Sequence, residues 1–150
     1  MPEIVLADEP KAEHREAILD GLRVYNEAQV GPSGSRLLAL LLRDDAGKII
    51  GGLWGRSGYD WLFIELLHVP ESLRGGGYGA ALMARAEEEA RARGCHGVWL
   101  DTYDFQAKPF YERLGYVEFG AIDDYPRGHK RHFMRKSLSA CNSPPSRESA

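Results

Sequence analysis

The segment best suited to chemistry is a run of glycines within residues 73–83, LRGGGYGAALM, which leads directly into a predicted helix. Glycine allows positive φ and a close approach of the backbone to a ligand. A helix N-terminus adds unpaired N–H groups and a partial positive charge, and Arg74 adds a cation. The segment therefore predicts a site for phosphate or pyrophosphate. Its predicted contacts are Arg74, Gly75, Gly76, Gly77, Tyr78, Gly79 and Ala80.

Two other phosphate-binding loops were weighed against this segment. A P-loop needs Lys and Ser/Thr after its last glycine, whereas Gly79 is followed by Ala80 and Ala81, which excludes it. The dinucleotide fingerprint G-x-G-x-x-G/A does fit residues 75–80, and Asp101 follows roughly 20 residues later. Because the preceding strands are predicted antiparallel and PESLR separates the loop from its strand, a dinucleotide-binding oxidoreductase is the less favoured alternative.

Glu65 is a second candidate for chemistry, because it interrupts the apolar segment WLFIELLHV, residues 61–69. A carboxylate is costly to bury unless it is paired or functional. Strand alternation places Glu65 on the same face as Leu67 and Val69. We therefore consider Glu65 a candidate general base, and the alternative is a carboxylate that points out of the sheet or pairs with an arginine.

Hydrophobic periodicity predicts the elements that must position these residues. The predicted helices cover residues 14–30, 78–93 and 106–115. The predicted strands cover residues 4–6, two arms of a hairpin around 45–47, and 61–69, 97–103, 116–123 and 131–138. In the second helix, glutamates 87–89 are expected to face solvent. We expect one domain over residues 1–138 and a disordered polar tail over 139–150.

Composition excludes several classes of protein. The chain has 150 residues and a formal net charge of -3, which gives no support to nucleic-acid binding. It contains no apolar run long enough for a membrane span, and its N-terminal segment lacks the apolar region of a signal peptide. Two cysteines are too few for a disulfide scaffold, and no Cys/His spacing predicts a metal site. A cytoplasmic protein with reduced thiols is expected.

Two motifs resemble the GNAT family of N-acetyltransferases. Residues 69–83, VPESLRGGGYGAALM, are similar to its motif A, Arg/Gln-x-x-Gly-x-Gly/Ala, with Arg74, Gly77 and Gly79 at the fixed positions. Residues 104–120, DFQAKPFYERLGYVEFG, are similar to the family's second signature, in which Asn-x-x-Ala precedes an aromatic-Tyr-x-x-x-Gly-aromatic run. Ala107, Tyr111, Gly115 and Tyr116 match that signature, while Asp104 stands where the family usually has Asn. The resemblance spans about residues 4–138 and follows the predicted order of elements.

The resemblance implies a mixed α/β (α+β) fold with a mostly antiparallel central sheet of about six or seven strands flanked by helices. The fourth and fifth strands would splay apart to form a cofactor slot. The implied cofactor is acetyl-CoA, with its pyrophosphate on residues 74–80 and its pantetheine arm along the strand 61–69. Further cofactor contacts are expected at Leu67, His68, Val69, Asp104, Ala107 and Phe110.

The implied activity is direct transfer of an acetyl group to a primary amine. Tyr111 would protonate the departing thiolate, and Glu65 would act as the base. A small-molecule amine is favoured over a protein lysine or N-terminus, and a homodimer is left open by analogy with the family. The alternative on the same fold is a non-catalytic CoA-binding or sensor domain.

The acceptor amine is predicted to bind between three connecting segments. We expect the amine to bind among the loop 30–35, the turn 58–60 and the segment 123–129. Tyr59 and Trp61 are expected either in the core or as walls of this pocket. The carboxylates expected at this mouth would favour a cationic amine. They are Asp60, Glu65, Asp123 and Asp124.

Overall fold

The computed structural model describes residues 1–138, and it forms two compact units, Met1–Ser33 and a second that begins at Gly34. The predicted tail 139–150 lies outside the described residues. The first unit holds α1 (Ala12–Val30), which begins after Lys11 and ends at Gly31, where φ is 86°. None of the helices described in residues 1–138 is long and apolar enough to cross a membrane.

The predicted strand over residues 4–6 is wrong. These residues belong to no helix or strand, and the side chains of Ile4 and Leu6 are almost fully exposed. Three apolar residues favour a strand only where a neighbouring strand supplies hydrogen bonds and a surface to pack against. Within residues 1–138, this segment pairs with no strand.

The second unit is built on one six-stranded sheet. Its strands are β1 (Arg36–Arg43), β2 (Ile49–Gly58), β3 (Trp61–His68), β4 (Gly97–Tyr103), β5 (Val117–Asp123) and β6 (Lys130–Ser137). Their spatial order is β1-β2-β3-β4-β6-β5, and every neighbouring pair is antiparallel except β3 with β4. The predicted mixed α+β fold with a mostly antiparallel sheet is confirmed.

Two helices of this unit position the glycine loop, residues 74–77, and the second motif, residues 104–120. A 3-10 turn (Glu71–Leu73) follows β3 and leads through the glycine loop into α2 (Tyr78–Ala92). The other helix, α3 (Lys108–Arg113), lies between β4 and β5 in the chain and carries Pro109 in its first turn, where the missing N–H costs nothing.

The core lies between α2 and one face of the sheet. The alternating apolar positions of β3 and β4, such as Leu62 and Leu100, are buried against Met83, Ala86 and Ala90 of α2. One prediction for α2 is wrong: Glu87 is buried rather than exposed. It is tolerated because its carboxylate is paired there, accepting hydrogen bonds from the Tyr116 hydroxyl at 2.8 Å and from Lys136 Nζ at 2.9 Å.

The sheet opens between its two parallel strands. β3 and β4 pair only from Trp61 with Gly97 to Ile64 with Leu100, and beyond these positions each strand continues without the other. β3 stays paired to β2 up to His68, and β4 stays paired to β6 along its whole length, so the gap lies between β3 and β4. This separation is the slot that the fourth and fifth predicted strands were expected to form.

Candidate functional site

A cleft of about 1010 Å³ occupies the gap between β3 and β4. Its walls are the C-terminal halves of these two strands, the glycine loop with the start of α2, and α3 with the loop before it. The predicted site residues that line it are Glu65, Leu67, His68, Val69, Arg74, Gly75, Gly77, Tyr78, Gly79, Ala80, Ala107, Phe110 and Tyr111. Gly76 and Asp104 are not part of the lining.

The glycine loop presents a row of free backbone donors to this cleft. Gly75 and Gly77 have φ values of 85° and 84°, which a residue with a Cβ rarely adopts. Within residues 1–138, five consecutive or near-consecutive amides donate to no protein acceptor. They are the N–H groups of Gly75, Gly77, Tyr78, Gly79 and Ala80. Together with the N-terminal end of the α2 dipole, these groups form an anion-binding surface.

The other two amides of the predicted anion site are already used. The Arg74 N–H donates to the carbonyl of Glu71 at 3.2 Å, and the Gly76 N–H donates to that of Leu73 at 3.3 Å. Both bonds continue the 3-10 turn into the loop. The Arg74 side chain also turns back, since its Nε donates to the carbonyl of Val69 at 3.1 Å. Arg74 thus ties the loop to the end of β3.

Tyr111 reaches the cleft from α3 and is almost fully buried, with 7% of its surface exposed. Its ring meets those of Phe110 and Tyr116 edge to face, with centroids 5.0 and 6.0 Å away. Burial, reinforced by the charge of Asp101, raises the pKa of Tyr111 to about 12. The phenol therefore keeps its proton near neutral pH, as a proton donor requires. No group within residues 1–138 forms a hydrogen bond with its hydroxyl.

Glu65 lies at a β-bulge, which changes its predicted environment. Trp54 of β2 pairs with Leu66 and Gly55 pairs with Ile64, so Glu65 is the extra residue on β3. After Ile64, the next side chain of β3 that packs on the core is therefore Leu67. The prediction that simple alternation places Glu65 on the same face as Leu67 and Val69 is wrong. Glu65 is exposed, lines the cleft, and forms no ion pair within residues 1–138.

The carboxylate of Asp104 is engaged by the hairpin between β5 and β6. It lies 2.9 Å from Nδ1 of His129 and accepts a hydrogen bond from the Lys130 N–H at 3.0 Å. Partial burial opposes ionisation, yet these contacts hold the pKa of Asp104 below its ordinary value. In this structure Asp104 ties the loop before α3 to the hairpin, next to the cleft.

The cleft also contains an ion pair that sequence reasoning did not assemble. Arg131 on β6 contacts Asp101 on β4 at two points, Nε to Oδ1 at 2.9 Å and Nη2 to Oδ2 at 2.8 Å. Arg131 also donates to the Tyr125 hydroxyl at 2.7 Å. Hydrogen bonding to Asp101 raises the pKa of Arg131. Thirty positions separate Arg131 from Asp101 in the chain, so only the register of β4 with β6 shows that they meet.

The turn 58–60, which was predicted to border the acceptor, does not line the cleft. The turn precedes β3, whereas the cleft is lined by the C-terminal half of that strand. Asp60 instead accepts a hydrogen bond from the N–H of His96 at 2.7 Å, and Trp61 pairs with Gly97. Because a hairpin turn and the loop after its second strand lie at opposite ends of that strand, Tyr59, Asp60 and Trp61 lie away from the cleft.

Comparison with known proteins agrees with this architecture. Residues 4–116 match the model of the acetyltransferase (GNAT) family. The chain is 41% identical over 132 residues to the acetyltransferase Atu2258 of Agrobacterium fabrum, covering 88% of this chain and 96% of that one. It is 44% identical over 95 residues to the blasticidin-S acetyltransferase of Streptomyces morookaense, covering 63% and 70% of the two chains.

A solved structure shows the same fold. The crystal structure of an acetyltransferase from Bacillus cereus superposes with a TM-score of 0.79 at 33% sequence identity, covering 89% of this chain and 98% of that one. The family model covers most of the chain, and the glycine loop with its helix falls inside the matched region. The chain belongs to the GNAT family and is an acetyltransferase.

Proposed function

We propose that this protein transfers the acetyl group of acetyl-CoA to the primary amine of a small molecule. The observation that carries this proposal is the row of five free amides, from Gly75 to Ala80, at the mouth of the slot between β3 and β4. A diphosphate has the charge and the acceptor oxygens to satisfy donors of this kind. The family uses acetyl-CoA, which supplies an acetyl thioester as the activated group.

The residues of the slot fit such a cofactor. The five amides and α2 would hold the diphosphate, and Leu67, His68 and Val69 would offer their unpaired strand edge to the pantetheine arm. Ala107 and Phe110 would contact it from the opposite wall. Gly76 and Asp104 would support this site indirectly, because their polar groups already bond within the protein.

In the proposed reaction, Glu65 accepts a proton from the amine, directly or through water. The amine nitrogen then bonds to the acetyl carbon while the carbon–sulfur bond breaks, and the nitrogen releases its second proton to solvent as the amide forms. Glu65 later returns its proton to solvent. Tyr111 donates its phenolic proton to the leaving sulfur and later regains one from solvent. The exposed position of Glu65 supports access by an amine, and the raised pKa of Tyr111 keeps its proton available.

A small-molecule acceptor is supported by the relatives. The blasticidin-S acetyltransferase, by its name, acts on an antibiotic, and it shares 44% identity with this chain over the aligned residues. The cleft is also a compact concavity within one unit, which suits a small ligand. We place the protein in the cytoplasm because acetyl-CoA is available there, which is an inference from the proposed reaction.

The test is an assay of CoA thiol release from acetyl-CoA with a panel of primary amines, run on the wild type and on Tyr111→Phe. Loss of the proton donor should lower kcat by roughly a hundredfold or more, while calorimetry should show an unchanged CoA affinity. Equal kcat values would remove Tyr111 from its role. Tight CoA binding by the wild type without acetylation of any amine would favour a sensor domain and contradict the proposal.

A further inference from the structure

One stretch of the cleft wall is formed where β4 runs into the loop before α3. Tyr103 and Phe105 line this stretch, and their rings are stacked with centroids 5.2 Å apart and planes inclined by 4°. Phe105 is 57% exposed although it is a large apolar side chain. Exposed aromatic rings that line a cleft are typical of a ligand site. We call these two residues the aromatic shelf.

Contacts with neighbouring side chains hold the aromatic shelf in place. The guanidinium of Arg131 lies 5.6 Å from the ring centre of Tyr103 and 4.8 Å from that of Tyr125, and Asp101 fixes the guanidinium. The ring of Phe105 meets His129 edge to face at 5.1 Å. A ligand ring would therefore meet a surface that is already ordered, which reduces the entropy lost on binding.

The charges beside the aromatic shelf favour a cation at one position. The carboxylate of Asp101 is neutralised by Arg131, whereas Glu65 lines the same cleft without an ion pair within residues 1–138. An ammonium group entering the cleft is thus attracted to Glu65. The aromatic shelf and Glu65 line the same cleft.

We propose that the acceptor is a small primary amine carried on a planar unsaturated ring. The ring stacks on Phe105, and the ammonium group lies near Glu65 before it loses its proton. This inference rests on the proposed function and narrows its substrate class. A flexible polyamine or a lysine side chain has no ring, so neither would use the aromatic shelf.

The experiment compares benzylamine with cyclohexylmethylamine, two aminomethyl compounds whose six-membered rings differ in planarity. Rates of CoA thiol release give kcat/KM for each amine with the wild type, Phe105→Leu and the control Phe119→Leu. Phe119 is an exposed phenylalanine of β5 that does not line the cleft. Comparing the ratio of the two amines between variants cancels their different intrinsic reactivities.

We expect the ratio of benzylamine to cyclohexylmethylamine to fall by about twofold to tenfold in Phe105→Leu, the range that aromatic stacking supplies. The ratio should stay at its wild-type value in Phe119→Leu. Spermidine and a lysine-containing peptide should be poorer acceptors than benzylamine, and their rates should not respond to Phe105→Leu.

Two sets of results separate this inference from the proposed function. An unchanged amine ratio in Phe105→Leu, or turnover that is fastest with spermidine or the peptide, overturns the aromatic acceptor while amine acetylation stands. Failure to acetylate any of the four amines, together with no thermal stabilisation by CoA, overturns both.

Discussion

At the scale of single residues, the environment of Tyr111 decides what it can do. Its side chain is almost fully buried against other aromatic rings and lies near the negative charge of Asp101, and both effects favour the neutral phenol. The same burial that suits Tyr111 to proton donation must also make the folding stability depend on pH at high pH.

The pH dependence has a definite sign. Burial raises the pKa of Tyr111 to about 12, above the value of about 10 for a tyrosine in an unfolded chain. The stabilisation is complete below pH 10 and is lost as the pH rises toward 12, because the unfolded state releases its proton first. The measurement is urea unfolding at pH 9 to 11.5. Above pH 10, the free energy of unfolding of the wild type should fall more steeply than that of Tyr111→Phe, by about 1.4 kcal/mol per pH unit. Tyr25→Phe, which changes an exposed tyrosine of α1, should follow the wild type. Parallel curves for wild type and Tyr111→Phe would contradict the assigned burial.

Residue types and spacing were sufficient to predict part of the site, and local geometry explains the rest. Gly77 and Gly79 stood out because few other structures need glycine so densely before a helix. The bulge at Glu65 left no comparable signal, since a single extra residue in β3 changes the facing of every later side chain without changing composition. The pairing of Asp101 with Arg131 depended on strand register, which no local pattern encodes.

At the scale of elements, each end of α2 is flanked by a glycine with a positive φ. Gly77 precedes its first turn with φ of 84°, and Gly94 follows its last turn with φ of 78°. A Cβ built on either residue meets nothing within 4 Å, so any cost of substitution comes from the backbone conformation and not from a protein clash.

Gly77 and Gly94 therefore provide a matched pair of variants. Gly77→Leu and Gly94→Leu should both lose about 1–2 kcal/mol of folding stability, because each forces a side chain into the left-handed region. Only Gly77→Leu should weaken CoA binding, by at least tenfold, since its side chain enters the anion site. Calorimetry with CoA on both folded variants measures this difference. Equal CoA affinities in the two variants would place the diphosphate away from α2.

The ion pair between Lys136 and the buried Glu87 provides a second prediction for the elements. Lys136 pairs with Glu87, which is 10% exposed, whereas the similarly exposed Lys108 pairs with the more exposed Glu112 and Glu118. Lys136→Met leaves a buried carboxylate without its cation and should destabilise the fold by about 3–5 kcal/mol. Lys108→Met should cause a much smaller change, because exposed ion pairs contribute little. Similar denaturation midpoints for the two variants would show that the Glu87 pair is not buried in solution.

Elements with strong periodicity were predictable, and elements that depend on partners were not. The helix predicted over 78–93 and the strands predicted over 61–69 and 97–103 are present, and their ends differ from the predicted ends by at most about one residue. The segment 4–6 had the composition of a strand but lacks a neighbour to pair with in the described residues. Glu87 looked like a solvent-facing glutamate because its two partners, Lys136 of β6 and Tyr116 just before β5, are far away in the chain.

At the scale of the whole molecule, the sheet explains why the two motifs form one site. β3 and β4 are parallel neighbours, so the glycine loop after β3 and the second motif after β4 emerge at the same edge of the sheet. Their early separation leaves a slot between them, and the mostly antiparallel remainder of the sheet holds it open. This arrangement was predictable from the resemblance to the GNAT family, whereas the aromatic shelf in the cleft wall was not.

We propose that the free amides of Gly75, Gly77, Tyr78, Gly79 and Ala80 hold the diphosphate of acetyl-CoA. A crystal structure of the complex with CoA tests it most directly. We predict diphosphate oxygens within about 2.7–3.2 Å of the backbone nitrogens of Gly77, Tyr78, Gly79 and Ala80, with the pantetheine arm between β3 and β4. A diphosphate bound elsewhere on the protein, with these amides left without a ligand, would contradict the account.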